Sequence, residues 1–378
     1  MKRIIHVIKS PSFNSDGRLQ KWIKSLSENR FENTVHIVED SNTNQQTETV
    51  GGANVNRKNL FFRSIFPQRK GYFFKVPEYF FKTVSFLNKQ KFEYLIFHDV
   101  QQYLNITYYL FFHRKRNFKI IWDLHELPHG IMLNNVILKK HLRYIIRNVD
   151  LVVYTSNERR NYILNKLGEN PEKKFSILNN YPDKNFIISP KQELEVPHFG
   201  NNNPYFLWLG AAINGRNFKA FFNAYKTYSE EFNLVILGKV ENVFKKEIDE
   251  LSDQGKLFNA FVKQSEIIKY IDNCYLSVVL YNSRTTNNFL CEPNRLYQLV
   301  CRNIPVIVGN NPTMANLINK YKIGNVLEDD GVDEEGIKNA IDAIIQNYSV
   351  YKEISKKNNY EAIFSWENQI ENIIRQIK

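Results

Sequence analysis

An α/β chain built as two doubly wound domains is predicted by three observations in this 378-residue sequence. Short runs rich in Val, Ile, Leu and aromatic residues alternate with longer amphipathic stretches, the rhythm of βαβ units around a parallel sheet. The alternation comes in two series, and a proline-bearing polar stretch lies between them. The length also exceeds what one growing core sustains, so two domains are expected.

The first series opens with the strand RIIHVI and the helix DGRLQKWIKSLSEN. TVHIVE is the next strand, and EYLIFHD follows with a helix that ends at HRKRN. KIIWDLHE, then LVVYTS with the helix NERRNYILNKLG, and finally FSILNN complete it. The second series runs YFLWLGA, FKAFFNAYKTYSEE, LVILGK, VFKKEIDELSDQ, FNAFV, SEIIKYIDN, YLSVVLY, NRLYQLVCRN, IPVIVG, NPTMANLINKY and GNVLED. Between them DKNFIISPKQELEVPHFGNNNP, residues 183–204, holds three prolines and little periodicity, as an interdomain connection does. The expectation is an N-terminal Rossmann-like domain over 1–190, a C-terminal one over 200–359, and a last helix, 360–378, returning to the first. The polar residues 41–58 read as an excursion within the first domain. Open parallel sheets bind ligands beyond the carboxyl ends of their strands, and two such sheets facing one another would enclose a cleft.

Lys and Arg outnumber Asp and Glu by 51 to 39, a formal net charge of +12, which favours partners carrying negative charge: nucleic acid, an anionic membrane face or phosphorylated small molecules. Cys274, Cys291 and Cys301 follow no metal-ligand spacing and suit reduced thiols in a cytosolic protein. The apolar run in MKRIIHVIKSPSF is too brief for a signal peptide, and no run approaches the roughly 20 residues that span a bilayer. A cytoplasmic protein is expected, peripheral on the inner membrane face if membranes are involved.

After YFLWLG, the small residues Gly210, Ala211, Ala212 and Gly215 would let backbone N–H groups approach a phosphate at a helix start, where Arg216 adds a forked donor. A tight turn with a surface arginine is the bland alternative, and Lys219 reads as solvated. The stretch CEPNRLYQLVCRNIPVIVG, residues 291–309, places Arg295 near the start of a helix opened by Pro293, where a guanidinium and free N–H groups can neutralise a diphosphate. Glu292 and Gln298 can accept from ribose hydroxyls and Asn294 from a sugar; each alone is equally a cap or an exposed polar residue. WDLHELP puts Asp123, His125 and Glu126 at a strand end, where an imidazole or carboxylate could act as a general base or simply make a structural hydrogen bond. Asp99, with His98 beside it, reads first as a helix N-cap. Asp16 and Arg18 fall on the first loop, with helix capping as the alternative for Asp16. No D-x-D pair follows a strand and no His/Cys cluster appears, so no metal is expected, and the arginines would stabilise a leaving diphosphate.

Taken in order, these stretches resemble the GT-B glycosyltransferases of the large GT4-like group. PNRLYQLVCRNIPVIVG resembles their "P-N-K-L-x-E-Y-x-x-x-G-x-P-V-I" segment, SDGRLQKWIKSL their first loop and helix, and WDLHELP their "D-x-H-E". GAAINGRNFKAFF is similar to their diphosphate loop, LVILGK to the strand before the base pocket, and FSWENQIENI to their terminal "W-E" helix. The resemblance covers nearly the whole chain and implies a nucleoside diphosphate sugar as donor substrate, with no cofactor. It gives the diphosphate to Arg216 and Arg295, a contact beside the transferred sugar to His125 and then Glu126, and the acceptor side to Asp16 and Arg18. Gln298 stands where the family has the second Glu of its E-x7-E motif, position 290 is Leu in place of the first, and either Gln298 or Glu292 could hold the ribose. Retention of configuration is the expectation the likeness favours, with a glycan or lipid-linked acceptor of bacterial-type surface polysaccharide synthesis.

Residues 57–91 interleave bases with Phe and Tyr, as an interfacial segment on an anionic membrane would; an aromatic core helix with solvated lysines is the alternative. No RNA or DNA motif accompanies them, so no nucleic-acid partner is expected. Two rival functions remain: a GT-B-like nucleotide-sugar epimerase, and a non-catalytic basic protein that binds membrane or nucleic acid through a degenerate nucleotide fold.

Overall fold

The computed structural model describes residues 1–39, 47–66, 70–169, 175–193 and 199–378. Residues 41–46 of the polar stretch, 67–69 of the basic aromatic stretch and 194–198 of the connection lie outside the described residues. The chain divides into two compact units, Met1–Asn179 with Gln369–Lys378, and Asn180–Asn368.

The first unit contains β1 (Lys2–Ser10), β2 (Phe31–Glu39), β3 (Thr47–Val50), β4 (Ala53–Lys58), β5 (Tyr94–His98), β6 (Lys119–Leu124), β7 (Leu151–Tyr154) and β8 (Phe175–Ile177). Among the described residues they form one sheet in the order β3-β4-β2-β1-β5-β6-β7-β8, parallel except for the β3–β4 pair. Ile4, Ile5, Val7 and Ile8 in β1, Leu95–Phe97 in β5 and Ile120–Trp122 in β6 are all buried, the continuous apolar pattern of strands covered on both faces. The helix Gly17–Glu28 packs Leu19, Trp22, Ile23 and Leu26 inward, one stripe at helical spacing. Asp16 starts it: its carboxylate accepts the Leu19 N–H at 3.0 Å.

Two features of this unit go beyond what the sequence predicts. Residues 47–58 form the hairpin β3–β4, turned by Gly51 and Gly52 at φ 59° and 83°, as a two-residue hairpin turn with both φ positive requires. β4 then extends the sheet parallel to β2. The polar alternation of TETV and ANVNRK, half exposed at the sheet's edge, hides a strand from a hydrophobicity reading. Residues 130–148 form the helices Gly130–Asn134 and Val136–Asn148, and the longer one buries little beyond Leu142 and Ile145.

The second unit contains β9 (Tyr205–Leu209), β10 (Asn233–Leu237), β11 (Leu257–Ala260), β12 (Leu276–Val279), β13 (Val306–Val308) and β14 (Gly324–Val326). Their order is β11-β10-β9-β12-β13-β14, parallel throughout, so the direction of winding reverses between β9 and β12. Side chains of β9 alternate between two cores: Tyr205, Leu207 and Leu209 on one face, Phe206 and Trp208 on the other. Trp208 stacks on Phe221 at 5.3 Å, which seats the helix Phe218–Lys226 against the sheet.

Residues 180–190, which the sequence pattern assigns to the first domain, belong to the second unit. Arg302 is the reason. Its guanidinium pairs with Asp272 at 2.6 Å and donates to the carbonyls of Phe186, Ile187 and Ser189 at 3.2, 3.1 and 2.8 Å, closing the end of the helix Lys184–Ile188. At the other end of the chain, Tyr360–Phe364 lies in the second unit, and the helix Trp366–Ile377 joins the first from Gln369 onward. Arg302→Ala would leave Asp272 buried without its cation and three carbonyls without their donor. It should cost about 3 kcal/mol, read as a lower urea midpoint, with Arg302→Lys restoring only part.

Candidate functional site

In the second unit the site begins where β9 ends. Gly210 has φ 109°, and a Cβ there would collide with Nη1 of Arg216 and lie 3.0 Å from Nη1 of Arg295. The positive φ calls for glycine here, and its bare Cα lets both guanidinium groups come close. The loop continues to Asn217 in the left-handed region at φ 51°, whose Nδ2 donates to the backbone carbonyl of Asp330 at 2.8 Å and to its carboxylate at 3.1 Å. The same carboxylate accepts the Ser283 N–H at 2.6 Å, so Asp330 ties together the loops that follow β9 and β12.

Arg295 is the second residue of the helix Asn294–Cys301 and is buried. It donates to the carbonyl of Leu209 and, at 3.3 Å, to that of Leu280, the residues that close β9 and follow β12. Its guanidinium lies 4.9 Å from the centre of the Tyr281 ring, and that of Arg216 lies 5.3 Å from the same ring. Burial lowers the Arg295 pKa from its ordinary value; Tyr281 offsets part of this, and the Arg216 charge adds to it. Among the described residues neither arginine has a carboxylate within ion-pair distance. A buried cation beside a second cation, with no counterion, is a standing electrostatic cost that a doubly charged anion would relieve.

The remaining residues expected here lie on the same helix or next to it. Glu292 is buried and its Oε1 accepts the Tyr297 hydroxyl at 2.6 Å. Gln298 is buried one turn beyond Arg295, and Asn294 is exposed at the first helical position. Lys219 is exposed. The structure therefore gathers Gly210, Arg216 and Arg295 at one point and turns Glu292 toward Tyr297. Tyr281 and Asp330 do not emerge from the sequence alone. The signal for Tyr281 was its place just beyond β12, the strand beside the winding reversal; Asp330 carries none, because a clamp between loops has no local pattern.

In the first unit the counterpart is a buried carboxylate. Asp123, at the end of β6, accepts from Arg18 Nε and Nη2 at 3.2 and 2.8 Å, Trp22 Nε1 at 2.8 Å, His98 Nδ1 at 3.1 Å and His125 Nε2 at 2.7 Å. Burial would raise its pKa, but Arg18 and the two histidines hold it well below the usual carboxylate range. His98 in turn meets His6 at 3.0 Å, and burial lowers the pKa of both, that of His6 to about 3. His125 goes the other way: burial opposes its proton, and the Asp123 charge and hydrogen bond outweigh this and raise its pKa. His98, Asp123 and His125 offer ligand atoms within 4.8 Å of one another. Arg18 already neutralises the carboxylate, however, and both ring nitrogens of His98 are engaged.

Arg18 is spent inside this network, donating also to the Leu178 carbonyl at 2.9 Å, and Asp16 caps its helix. Asp99, at φ 71°, caps the turn at Val100 and also accepts the Glu126 N–H at 3.2 Å, which holds the backbone beside His125. The Glu126 side chain is exposed, and His125 is partly exposed at the carboxyl edge of the sheet. Trp22 and His6 also escape a reading of the sequence. Trp22 stands four residues after Arg18, on the same helix face, and His6 interrupts an otherwise apolar strand.

No protein-family model and no curated protein matches the chain. Solved structures do. Sucrose-phosphate synthase from Thermosynechococcus elongatus superposes with a TM-score of 0.74 at 13% identity, covering 100% of this chain and 99% of that one. HepE of Anabaena, in complex with UDP, gives 0.66 at 13% identity, covering 99% and 100%. A UDP-N-acetylglucosamine 2-epimerase gives 0.63 at 11% identity, covering 99% and 94%. The chain has the GT-B fold of two Rossmann-like units, the fold its sequence resemblance implied.

Two outcomes follow from this geometry. Tyr281→Ala should lower the urea midpoint by the equivalent of about 1 kcal/mol, as loss of a ring face shared by two guanidinium groups implies, and Tyr281→Phe should keep most of the stability. Acidification should destabilise the fold. His6 and His36 resist protonation down to about 3 and about 4 when folded but take protons near 6.5 when unfolded, so stability falls as pH drops below about 6.5. Urea midpoints at pH 7.5, 6 and 4.5 should show the decline, and His36→Phe should make it shallower. His125 works in the opposite sense: its stabilisation is present below about 6.5 and is lost as pH rises through its raised value.

Proposed function

We propose that the chain is a glycosyltransferase that takes a sugar from a nucleoside diphosphate donor. The observation that carries this reading is the pair of guanidinium groups at Gly210, one of them buried, with no carboxylate partner among the described residues. They stand at the carboxyl ends of β9 and β12, where open parallel sheets bind ligands. A pyrophosphate fits the charge, and two forked donors can stabilise the charge that builds on it as the sugar leaves. That work needs no metal ion. The fold is shared with a protein solved with UDP, which supports the same donor class.

Gln298 or Glu292 would hold the ribose, and Asn294 the sugar. In the first unit His125, whose pKa Asp123 raises, would donate to a sugar hydroxyl, with Glu126 beside it and Asp16 and Arg18 fixing the loop and helix on the acceptor side. A reaction that retains configuration suits this assignment, because the leaving diphosphate can take the acceptor's proton. A glycan or lipid-linked acceptor, as in surface polysaccharide synthesis, follows from the family likeness and from one surface. The helices Phe61–Ile65 and Tyr72–Leu87 meet through Phe62 and Phe74 at 5.2 Å and leave Phe73 90% and Phe81 67% exposed, with Arg63 and Lys70 on the same stretch. Apolar rings among bases suit an anionic bilayer surface. No helix among the described residues is long and apolar enough to cross a membrane.

The shared fold of a 2-epimerase keeps a second reading in view: conversion of the donor's sugar with no acceptor. Incubation with donor alone separates the two, since an epimer formed without acceptor would exclude transfer as the primary reaction.

A thermal-shift panel of nucleoside diphosphates and their sugars should stabilise the wild-type chain, and Arg295→Ala should abolish the shift. Unchanged shifts in Arg295→Ala would falsify the diphosphate assignment. His125→Asn should lower kcat at least about a hundredfold while the donor shift persists. Vesicles containing phosphatidylserine should sediment the wild-type chain, and Phe73→Ser with Phe81→Ser should release it.

A further inference from the structure

A second pocket opens in the first unit, at the end of the sheet opposite Asp123 and His125. It has a volume of about 570 Å³ and is lined by Arg3 near the start of β1, by Phe92 and Glu93 just before β5, by Asn117 and Phe118 just before β6, and by the carboxyl ends of the helices Tyr72–Leu87 and Tyr103–Phe112. Because β5 runs parallel to β1 and β6, all three present their amino ends here. The five residues of β5, about 17 Å of strand, separate this pocket from His98 and the carboxylate network.

Its floor is aromatic. Phe92 and Phe118 meet at 4.9 Å, Tyr109 stacks on His113 at 5.1 Å, and His113 meets Phe118 edge-on at 5.9 Å. Tyr109 is buried and donates its hydroxyl to Asn88 Oδ1 at 3.0 Å, which ties the cluster to the end of the helix Tyr72–Leu87. Phe92, His113 and Phe118 are only half-buried and keep ring surface toward the pocket. Around the rings stand polar groups that the fold does not use. Among the described residues, the side chains of Gln90, Lys91, Tyr108, His113 and Asn117 hydrogen-bond to no other group. Glu93 differs: its carboxylate accepts the Arg3 N–H at 2.6 Å and lies 3.9 Å from the Arg3 guanidinium.

Amides, a phenol and an imidazole each both donate and accept, which matches a ring of vicinal hydroxyls that do the same. The aromatic floor suits the other surface of such a ring, its row of C–H groups. A purely aliphatic ligand would strip water from the polar rim and return no hydrogen bonds. A cation would meet Arg3 and Lys91. We infer that this pocket holds a short stretch of pyranose units of a glycan, at a place remote from the residues of the candidate active site. The inference goes beyond the proposed reaction, since it assigns a site that retains a chain and not one that extends it.

Affinity electrophoresis of the full chain, in gels containing dextran, a neutral polymer, or alginate, a polyuronate, tests this with no donor present, so its outcome is independent of the transfer reaction. At least one of the two polymers should retard the wild type. Lys91→Ala combined with Asn117→Ala removes two exposed side chains that hold no part of the fold. It should raise the dissociation constant for that polymer about tenfold, as loss of two hydrogen bonds implies, with the unfolding midpoint unchanged. Lys245→Ala, which removes one exposed positive charge from the second unit, should keep wild-type retardation. Retardation by neither polymer overturns the inference. Retardation that the double variant keeps, or that Lys245→Ala weakens as much, overturns it as well, because attraction between a basic surface and a polymer would then account for the binding.

Discussion

The second unit is organised around a guanidinium placed where its charge has no partner. Arg295 reaches from a helix to the last carbonyl of β9 and the first beyond β12, so a single side chain fixes the spacing of the two strands between which the winding reverses. That position costs desolvation, and the ring of Tyr281 recovers only part of it. The glycine at 210 suits this arrangement, since its positive φ disfavours any other residue and its bare Cα faces the guanidinium groups. Asp330 follows too, as it holds the loops that carry Arg216 and Tyr281 in register without itself reaching the cations.

The first unit solves the reverse problem. A buried carboxylate is surrounded by more donors than it needs, and the surplus is distributed into histidines of opposite behaviour. Burial disfavours a proton on those deeper in the sheet, His6 and His98, whereas the Asp123 charge favours one on the outermost, His125. One anion thus sets the protonation of the ring at the sheet's edge while Arg18 and Trp22 fix its orientation. An edge residue tuned by a rigid interior is better placed for chemistry than one on a free loop.

Much of this was legible in the sequence, and the part that was not has a physical reason. The central strands of both sheets are continuous apolar runs, as burial on two faces demands, so the two-unit α/β pattern reads directly. Arg216 and Arg295 were legible because each follows a strand and opens a helix. Arg18 read as a residue of the first loop on the acceptor side; that its guanidinium is taken up by Asp123 depends on residues more than a hundred positions apart. Strands β3 and β4 were hidden by their polarity, and their turn, Gly51–Gly52, was the one local signal that could have disclosed them.

The passage of the helix Trp366–Ile377 from one unit into the other has a consequence for biogenesis. Gln369–Lys378 complete the first unit, where Tyr94 donates to the Ile377 carbonyl, Lys2 to that of Lys378, and Gln369 and Asn179 bond one another. These ten residues are polymerised after all of Asn180–Asn368. During vectorial synthesis the strip that covers the leading half beside β8 therefore emerges only after the trailing half has been made.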